Sequence, residues 1–176
     1  MKRKLQVYTI INNPIFSEGI ESLIANNFLL EVDILRKSSI QDFVNGKKIC
    51  TISDEKIILI YDVIKFRKQD FNILFDFMSA NLNFKVLLIT TNIKTENLKY
   101  LFEIGVSGIV NKNVLPEQFV NYLVKILKGI KVVSPEYKEL IVELFFNTTV
   151  RLDNIVKNTN KEKLKLTHSV IFPDEL

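Results

Sequence analysis

Lys56-Ile57-Ile58-Leu59-Ile60-Tyr61-Asp62 and Phe84-Lys85-Val86-Leu87-Leu88-Ile89-Thr90 are the two stretches that decide the fold. Each carries a strand-length run of Ile, Leu and Val without polar alternation, from Lys56 to Tyr61 and from Phe84 to Ile89. That is the pattern of a strand covered on both faces. Between them Phe71, Leu74, Phe75 and Met78 recur at helical spacing, so the connection is an amphipathic helix lying on a sheet. Strand, crossover helix and strand with no hairpin turn make a parallel unit. The same alternation extends outward in both directions. Strand-like runs occur at Leu5 to Ile11, Leu30 to Leu35 and Ser107 to Val110, and helical stripes at Phe16, Ile20, Leu23 and Ile24, at Leu98, Leu101 and Phe102, and at Phe119, Leu123, Ile126 and Leu127. A short helix is expected from about Ile40 to Val44, followed by a loop. Asn13-Pro14 and Leu115-Pro116-Glu117 put proline in the first turn of a helix, where its missing N–H does no harm. The alternation predicts an α/β, doubly wound parallel sheet, with chemistry at the carboxyl ends of the strands.

Composition narrows the function. The 176-residue chain (20.4 kDa) is 47% hydrophobic and 25% charged, ordinary globular proportions that exclude disorder throughout. Its apolar runs fall far short of the roughly 20 residues that span a bilayer. The basic start, Met1-Lys2-Arg3-Lys4-Leu5, leads to polar Asn12-Asn13 and not into the apolar stretch of a secretory signal, so a cytoplasmic location is expected. A single cysteine, Cys50, and a single histidine, His168, exclude an internal disulfide and an ordinary Cys/His zinc site. No structural metal is expected. The net charge of +4 is spread along the chain and reads as solubilising lysine, not as a nucleic-acid footprint. With five glycines, no glycine-rich phosphate loop and no nucleophile–histidine–acid set, an enzyme is not expected.

Asp62, Thr90 and Lys112 follow the third, fourth and fifth strands and converge on one edge of the sheet: a carboxylate, a hydroxyl and an ammonium. Residue type alone would make Asp62 a loop cap and Thr90 a β-branched strand end. Two stretches add to this. Asn13-Pro14-Ile15-Phe16-Ser17-Glu18-Gly19-Ile20 resembles the His-Pro-Leu-Phe-Arg-Glu-Gly-Leu segment that follows strand one in receiver domains of response regulators of the LuxR/NarL-type transcriptional subgroup. Gly105-Val106-Ser107-Gly108-Ile109-Val110-Asn111-Lys112-Asn113, then Leu115-Pro116-Glu117, Gly129 and Val133-Ser134-Pro135-Glu136, is similar to that family's Gly-Ala-Ser-Gly-Tyr-Leu-Leu-Lys-Asp, Pro-Glu-Glu, Gly and Leu-Ser-Pro-Glu series. The resemblance spans about residues 4 to 146. It implies a five-stranded, flavodoxin-like (CheY-like) sheet of order 2-1-3-4-5, a phosphoacceptor at Asp62, phosphate-site support from Thr90, Lys112 and Asn12, and a sensor histidine kinase or other signalling protein as partner.

The departures are as informative. The family's two adjacent acidic residues after strand one, which hold Mg²⁺ with the acceptor, are Ile11 and Asn12 here, and its aromatic switch in strand five is Ile109. Its Met-Pro after the acceptor is Lys65-Phe66. Mg²⁺ requires several hard oxygen ligands, and phosphoryl transfer leans on metal and lysine to neutralise the transferring oxygens. One aspartate and the Asn12 amide supply less, so Mg²⁺ is disfavoured and phosphorylation of Asp62 doubtful. A direct Asp62–Lys112 ion pair in place of metal is predicted.

Three segments are expected: a receiver-like domain at 4–130, an amphipathic helix at 134–148, and a polar linker or tail at 149–176. Ser134-Pro135-Glu136 reads as N-cap, N1 and N2 of that helix, with Tyr137, Leu140, Ile141, Leu144 and Phe145 on one face. With Phe146 this exceeds one packing face, and the surplus suits a homodimer. Arg151 to Lys165, with five basic and two acidic residues, is a linker by composition. Leu166-Thr167 matches the first two residues of the family's helix-turn-helix domain, whose remainder would have to be lost or cut away, so DNA is a partner only if such a domain exists. Two functions follow: an atypical receiver acting by protein contacts in two-component or transcription-control signalling, or a phosphorylation-independent dimerisation domain unrelated to a phosphorelay.

Overall fold

A computed structural model describes residues 4–28, 31–46, 56–81 and 83–144. The strands β1 (Lys4–Ile10), β2 (Glu31–Arg36), β3 (Lys56–Asp62), β4 (Phe84–Thr90) and β5 (Gly108–Asn111) lie parallel and alternate with the helices α1 (Pro14–Asn27), α2 (Ile40–Asn45), α3 (Lys68–Ala80), α4 (Thr95–Glu103) and α5 (Pro116–Leu127). A sixth strand corrects the five-stranded expectation. β6 (Val132–Val133) pairs in parallel with Gly108 and Ile109, giving the order β2-β1-β3-β4-β5-β6. Two residues are too short for a periodic signal, and β6 exists because β5 offers a free edge where the chain returns after α5. The sheet therefore reaches past the expected boundary at 130.

Side chains alternate between two cores along each strand, as the pleat requires. Val7, Ile58, Ile60, Leu87, Ile89 and Val110 face α1 and α5, meeting Ile20, Ile24, Phe119, Leu123 and Ile126. Tyr8, Leu59, Val86, Leu88 and Ile109 face α2, α3 and α4. On that side Phe43 of α2 is fully buried, edge-on to Tyr8 and Phe77 at 4.9 and 5.0 Å and stacked on Phe84 at 5.4 Å. The buried face of α3 is Phe71, Leu74 and Phe77, whereas Phe75, expected on it, is 45% exposed. Periods of three and four both satisfy a helical stripe, and the sheet selected the former.

Local chemistry sets the ends of the elements. The Asn13 side chain accepts from the Phe16 N–H at 3.0 Å and caps α1, with Pro14 at its first position. Ser39 caps α2 through the Asp42 N–H at 3.1 Å. Gly108 is demanded by packing: a Cβ there would lie 2.7 Å from Ile126 Cδ1 and Val132 Cγ2. No helix among the described residues is long and apolar enough to cross a membrane.

After β6, Pro135–Tyr137 form one 3₁₀ turn, and the chain is helical over 138–144. The helix thus starts later than the N-cap reading of Ser134, whose hydroxyl is used elsewhere. Phe145, Phe146, the tail from 149 with His168 and Leu166-Thr167, and Cys50 all lie outside the described residues. Leu140, Ile141 and Leu144 are half-buried against the α2–α3–α4 core, and Tyr137 is fully within it. Part of the face expected for a partner therefore contacts the protein's own core.

Candidate functional site

Register brings the strand ends together. Asp62, the last residue of β3, lies opposite Ile89, and Thr90, the last of β4, lies opposite Asn111, so Asp62, Thr90 and Lys112 share the carboxyl edge of the three central strands. Asp62 has 2% of its side chain exposed. Lys112, 27% exposed, reaches over it and donates from Nζ to Asp62 Oδ2 at 2.5 Å. Phe16, from the first turn of α1, lies with its ring centroid 4.6 Å from the Lys112 ammonium, a cation–π contact on the same charge. The lysine is thus held between a carboxylate and a ring.

Thr90 is buried, and its hydroxyl is shared between the carbonyls of Asn92, at 2.9 Å, and Val63, at 3.3 Å. Its own carbonyl accepts two bonds, from the Lys112 N–H at 3.0 Å and from the Tyr137 hydroxyl at 2.8 Å. Burial pushes the Tyr137 phenol up from its ordinary range. Ser134 is fully buried, and its hydroxyl accepts from the Asn111 N–H at 2.8 Å. The segment after α5 therefore bonds directly to the ends of β4 and β5.

The positions that depart from the family are equally defined. Ile11 is half-buried against the α1–α5 core and Asn12 is exposed. Ile109 is buried beside Leu88 and Leu101, one wall of a cavity of about 270 Å³ bounded by Val63, Phe66 and Thr90. Phe66 stacks on Phe71 at 4.6 Å and meets Tyr100 edge-on at 6.1 Å, so it ties the β3–α3 loop to α3 and α4. Beside the site, burial first and the Asp70 carboxylate second push the Tyr61 phenol up to about 12; its hydroxyl donates to Asp70 Oδ2 at 3.3 Å. As a cation site this donor set is poor. It offers one carboxylate, already neutralised by an ammonium, and no group of three Asp, Glu, His or Cys residues is clustered anywhere among the described residues. These residues do not fit Mg²⁺, which needs several oxygen ligands.

Solved structures match this architecture. A LuxR-family two-component response regulator from Aurantimonas is 19% identical, with a TM-score of 0.64 over 83% of this chain and 99% of that one. The fold is that of a response-regulator receiver. The isolated receiver domain of RcsB from Salmonella enterica serovar Typhimurium matches at 18% identity and a TM-score of 0.62, over 77% of this chain and 97% of that one. A structure of two RcsB dimers bound to two parallel DNAs matches at 17% identity and a TM-score of 0.58, over 79% of this chain and 66% of that one. No family model matches the sequence, and no curated protein does. Within this receiver fold, Asp62, Thr90 and Lys112 share the expected edge. Sequence reasoning missed Phe16 as a cover for Lys112, having counted it as an apolar helix position and as part of the segment 13–20, and missed the bonds from Ser134 and Tyr137. Gly129 was the available sign of a turn after α5, and its φ in the structure is 85°.

Proposed function

We propose that this chain is an atypical response-regulator receiver that signals through protein contacts in two-component or transcription-control pathways, its phosphate site converted into a structural ion pair. One observation carries the reading: the side chain in the acceptor position, Asp62, is sealed under Lys112, with Ile11 and Asn12 where a metal-binding receiver has acids. With Ile11 and Asn12 in place of acids, the metal that would neutralise the transferring oxygens has too few ligands, and Lys112, the other neutralising charge, is engaged by the carboxylate itself. The protein acts in this reading as a signalling module and uses no cofactor. The test is incubation of the full chain with acetyl phosphate and Mg²⁺, followed by intact mass measurement. No mass gain is expected; a stoichiometric gain of one phosphoryl group refutes the converted site.

The partners in this reading are a sensor histidine kinase or other signalling protein, and a second copy of the chain. Self-association draws support from the RcsB dimers among the structural neighbours and from Ile15 and Leu115, 83% and 63% exposed, at the α1–α5 side. DNA enters only through a helix-turn-helix domain, which the described residues do not contain. Light scattering across a concentration series tests the homodimer, and a mass fixed at one chain refutes it.

A further inference from the structure

Receiver switching requires that a change at the strand ends be felt by an element that leaves the domain. In this chain the strand-five position that would carry a movable aromatic ring is Ile109, 1% exposed and without a polar atom. An aromatic hydroxyl nevertheless reaches the site from a different element. β6 lays the chain along β5, the Ser134 N–H donates to the Ile109 carbonyl at 3.0 Å, and the following 3₁₀ turn carries Tyr137 inward. Tyr137 is 5% exposed, packs in the same core as Ile109 and Leu101, and donates its hydroxyl to the Thr90 carbonyl at 2.8 Å.

That carbonyl is a shared node. It also accepts the backbone N–H of Lys112, the residue whose ammonium holds Asp62. Ser134 adds a bond to Asn111, next to Lys112, and Glu143 accepts from the Thr95 hydroxyl at the start of α4 at 3.0 Å. Helix 138–144 is thus fastened to the ends of β4 and β5 and to the β4–α4 junction, all of which border the ion pair. The three apolar anchors on it, Leu140, Ile141 and Leu144, are only half-buried, so the polar bonds are a substantial share of what holds it down.

The geometry points to Tyr137 as the positioning residue that couples the Asp62–Lys112 site to helix 138–144: the intact pair keeps the helix docked, and release of the helix loosens Thr90. The inference rests on the receiver reading and deepens it by naming how that site is read out. Coupling of this kind is reciprocal. Of the bonds that fasten this segment, the Tyr137 hydroxyl's is the one that reaches the shared Thr90 carbonyl, and a phenylalanine would keep the ring packing while removing the hydroxyl.

Amide hydrogen exchange on the full chain tests it, following residues 90–95 and 138–144 in the wild type, Tyr137→Phe, Asp62→Asn and the double variant. Tyr137→Phe is expected to speed exchange in both segments about five-fold, the factor that one hydrogen bond of ordinary net strength converts to. Asp62→Asn is expected to speed exchange at 138–144 in the wild-type background and to add nothing further in the Tyr137→Phe background. Unchanged exchange in Tyr137→Phe, no effect of Asp62→Asn at 138–144, or equal effects of Asp62→Asn in both backgrounds each overturns the coupling. The non-additivity is the decisive readout, because two independent structural losses would simply sum. Lys112→Gln replaces Asp62→Asn if the latter fails to fold. Phosphorylation of Asp62 by acetyl phosphate would refute the ion-pair reading without altering this result, and additive exchange would overturn the coupling while leaving the pair in place.

Discussion

Lys112→Met removes the cation from above Asp62 while keeping most of the side-chain volume. What remains is a carboxylate with 2% of its side chain exposed and no ammonium 2.5 Å away. Truncating one partner of a buried pair costs about 3–5 kcal/mol, because the other charge is left uncompensated. Lys112 is 27% exposed, so water can enter the space its ammonium leaves, and the expected loss sits at the lower end, about 3 kcal/mol. Loss of the Phe16 cation–π contact belongs to the same figure. At about 2–4 °C per kcal/mol for a domain of this size, the midpoint falls by about 6–12 °C. Replacing both partners, in Asp62→Asn/Lys112→Met, removes the charge along with its counter-charge and is expected to recover about 2 kcal/mol of the loss. Urea unfolding followed by far-UV circular dichroism reads both, a choice made natural by the absence of tryptophan. A Lys112→Met variant within about 0.5 kcal/mol of wild type, the range of ordinary surface substitutions, would refute the claim that the pair is buried and structural. So would a double variant no more stable than Lys112→Met alone.

Other consequences concern the scaffold. Gly108→Ala places a methyl 2.7 Å from both Ile126 Cδ1 and Val132 Cγ2 and 2.9 Å from Leu87 Cδ1; urea unfolding should show a loss of about 1–3 kcal/mol, and a neutral result would mean that β5, α5 and β6 are not packed as described. Tyr61 ionises at about 12 when folded but near 10, the ordinary phenol value, when unfolded. Its raised folded pKa makes its contribution full below pH 10 and lost as pH rises toward 12, so the urea midpoint of wild type should fall more steeply than that of Tyr61→Phe above about pH 10; parallel profiles would contradict the burial of that hydroxyl.

The sequence carried the scaffold far because its signals are local. Runs such as Ile57-Ile58-Leu59-Ile60 and Val86-Leu87-Leu88-Ile89 need two covered faces wherever they are put, and a two-faced strand followed by a single-faced helix leaves only a parallel, doubly wound arrangement. Strand ends were legible for the same reason, since the first one or two polar residues after each run mark the carboxyl edge. Hence Asp62, Thr90 and Lys112 could be put on one edge from their positions alone, and the resemblance to receivers, whose acidic pair is Ile11 and Asn12 here, pointed to the ion pair. Phe75 and Phe77 show the limit of periodicity: both suit the stripe of α3, and only contact with Phe43 and Phe84 chose Phe77 for the core.

What the tertiary structure alone decided involves residues far apart in the chain. β6 is two residues long and owes its existence to an open edge on β5, not to its own propensity. Ser134 read locally as a helix cap, yet its hydroxyl serves Asn111, 23 residues earlier, because the returning chain sets the two side by side. Tyr137 read as one more apolar position on a partner-binding helix, and the turn that buries it brings its hydroxyl to Thr90, 47 residues away. A hydrogen bond at such separation leaves no periodic trace: one residue type satisfies both an apolar stripe and a polar contact, and only the path of the backbone selects between them.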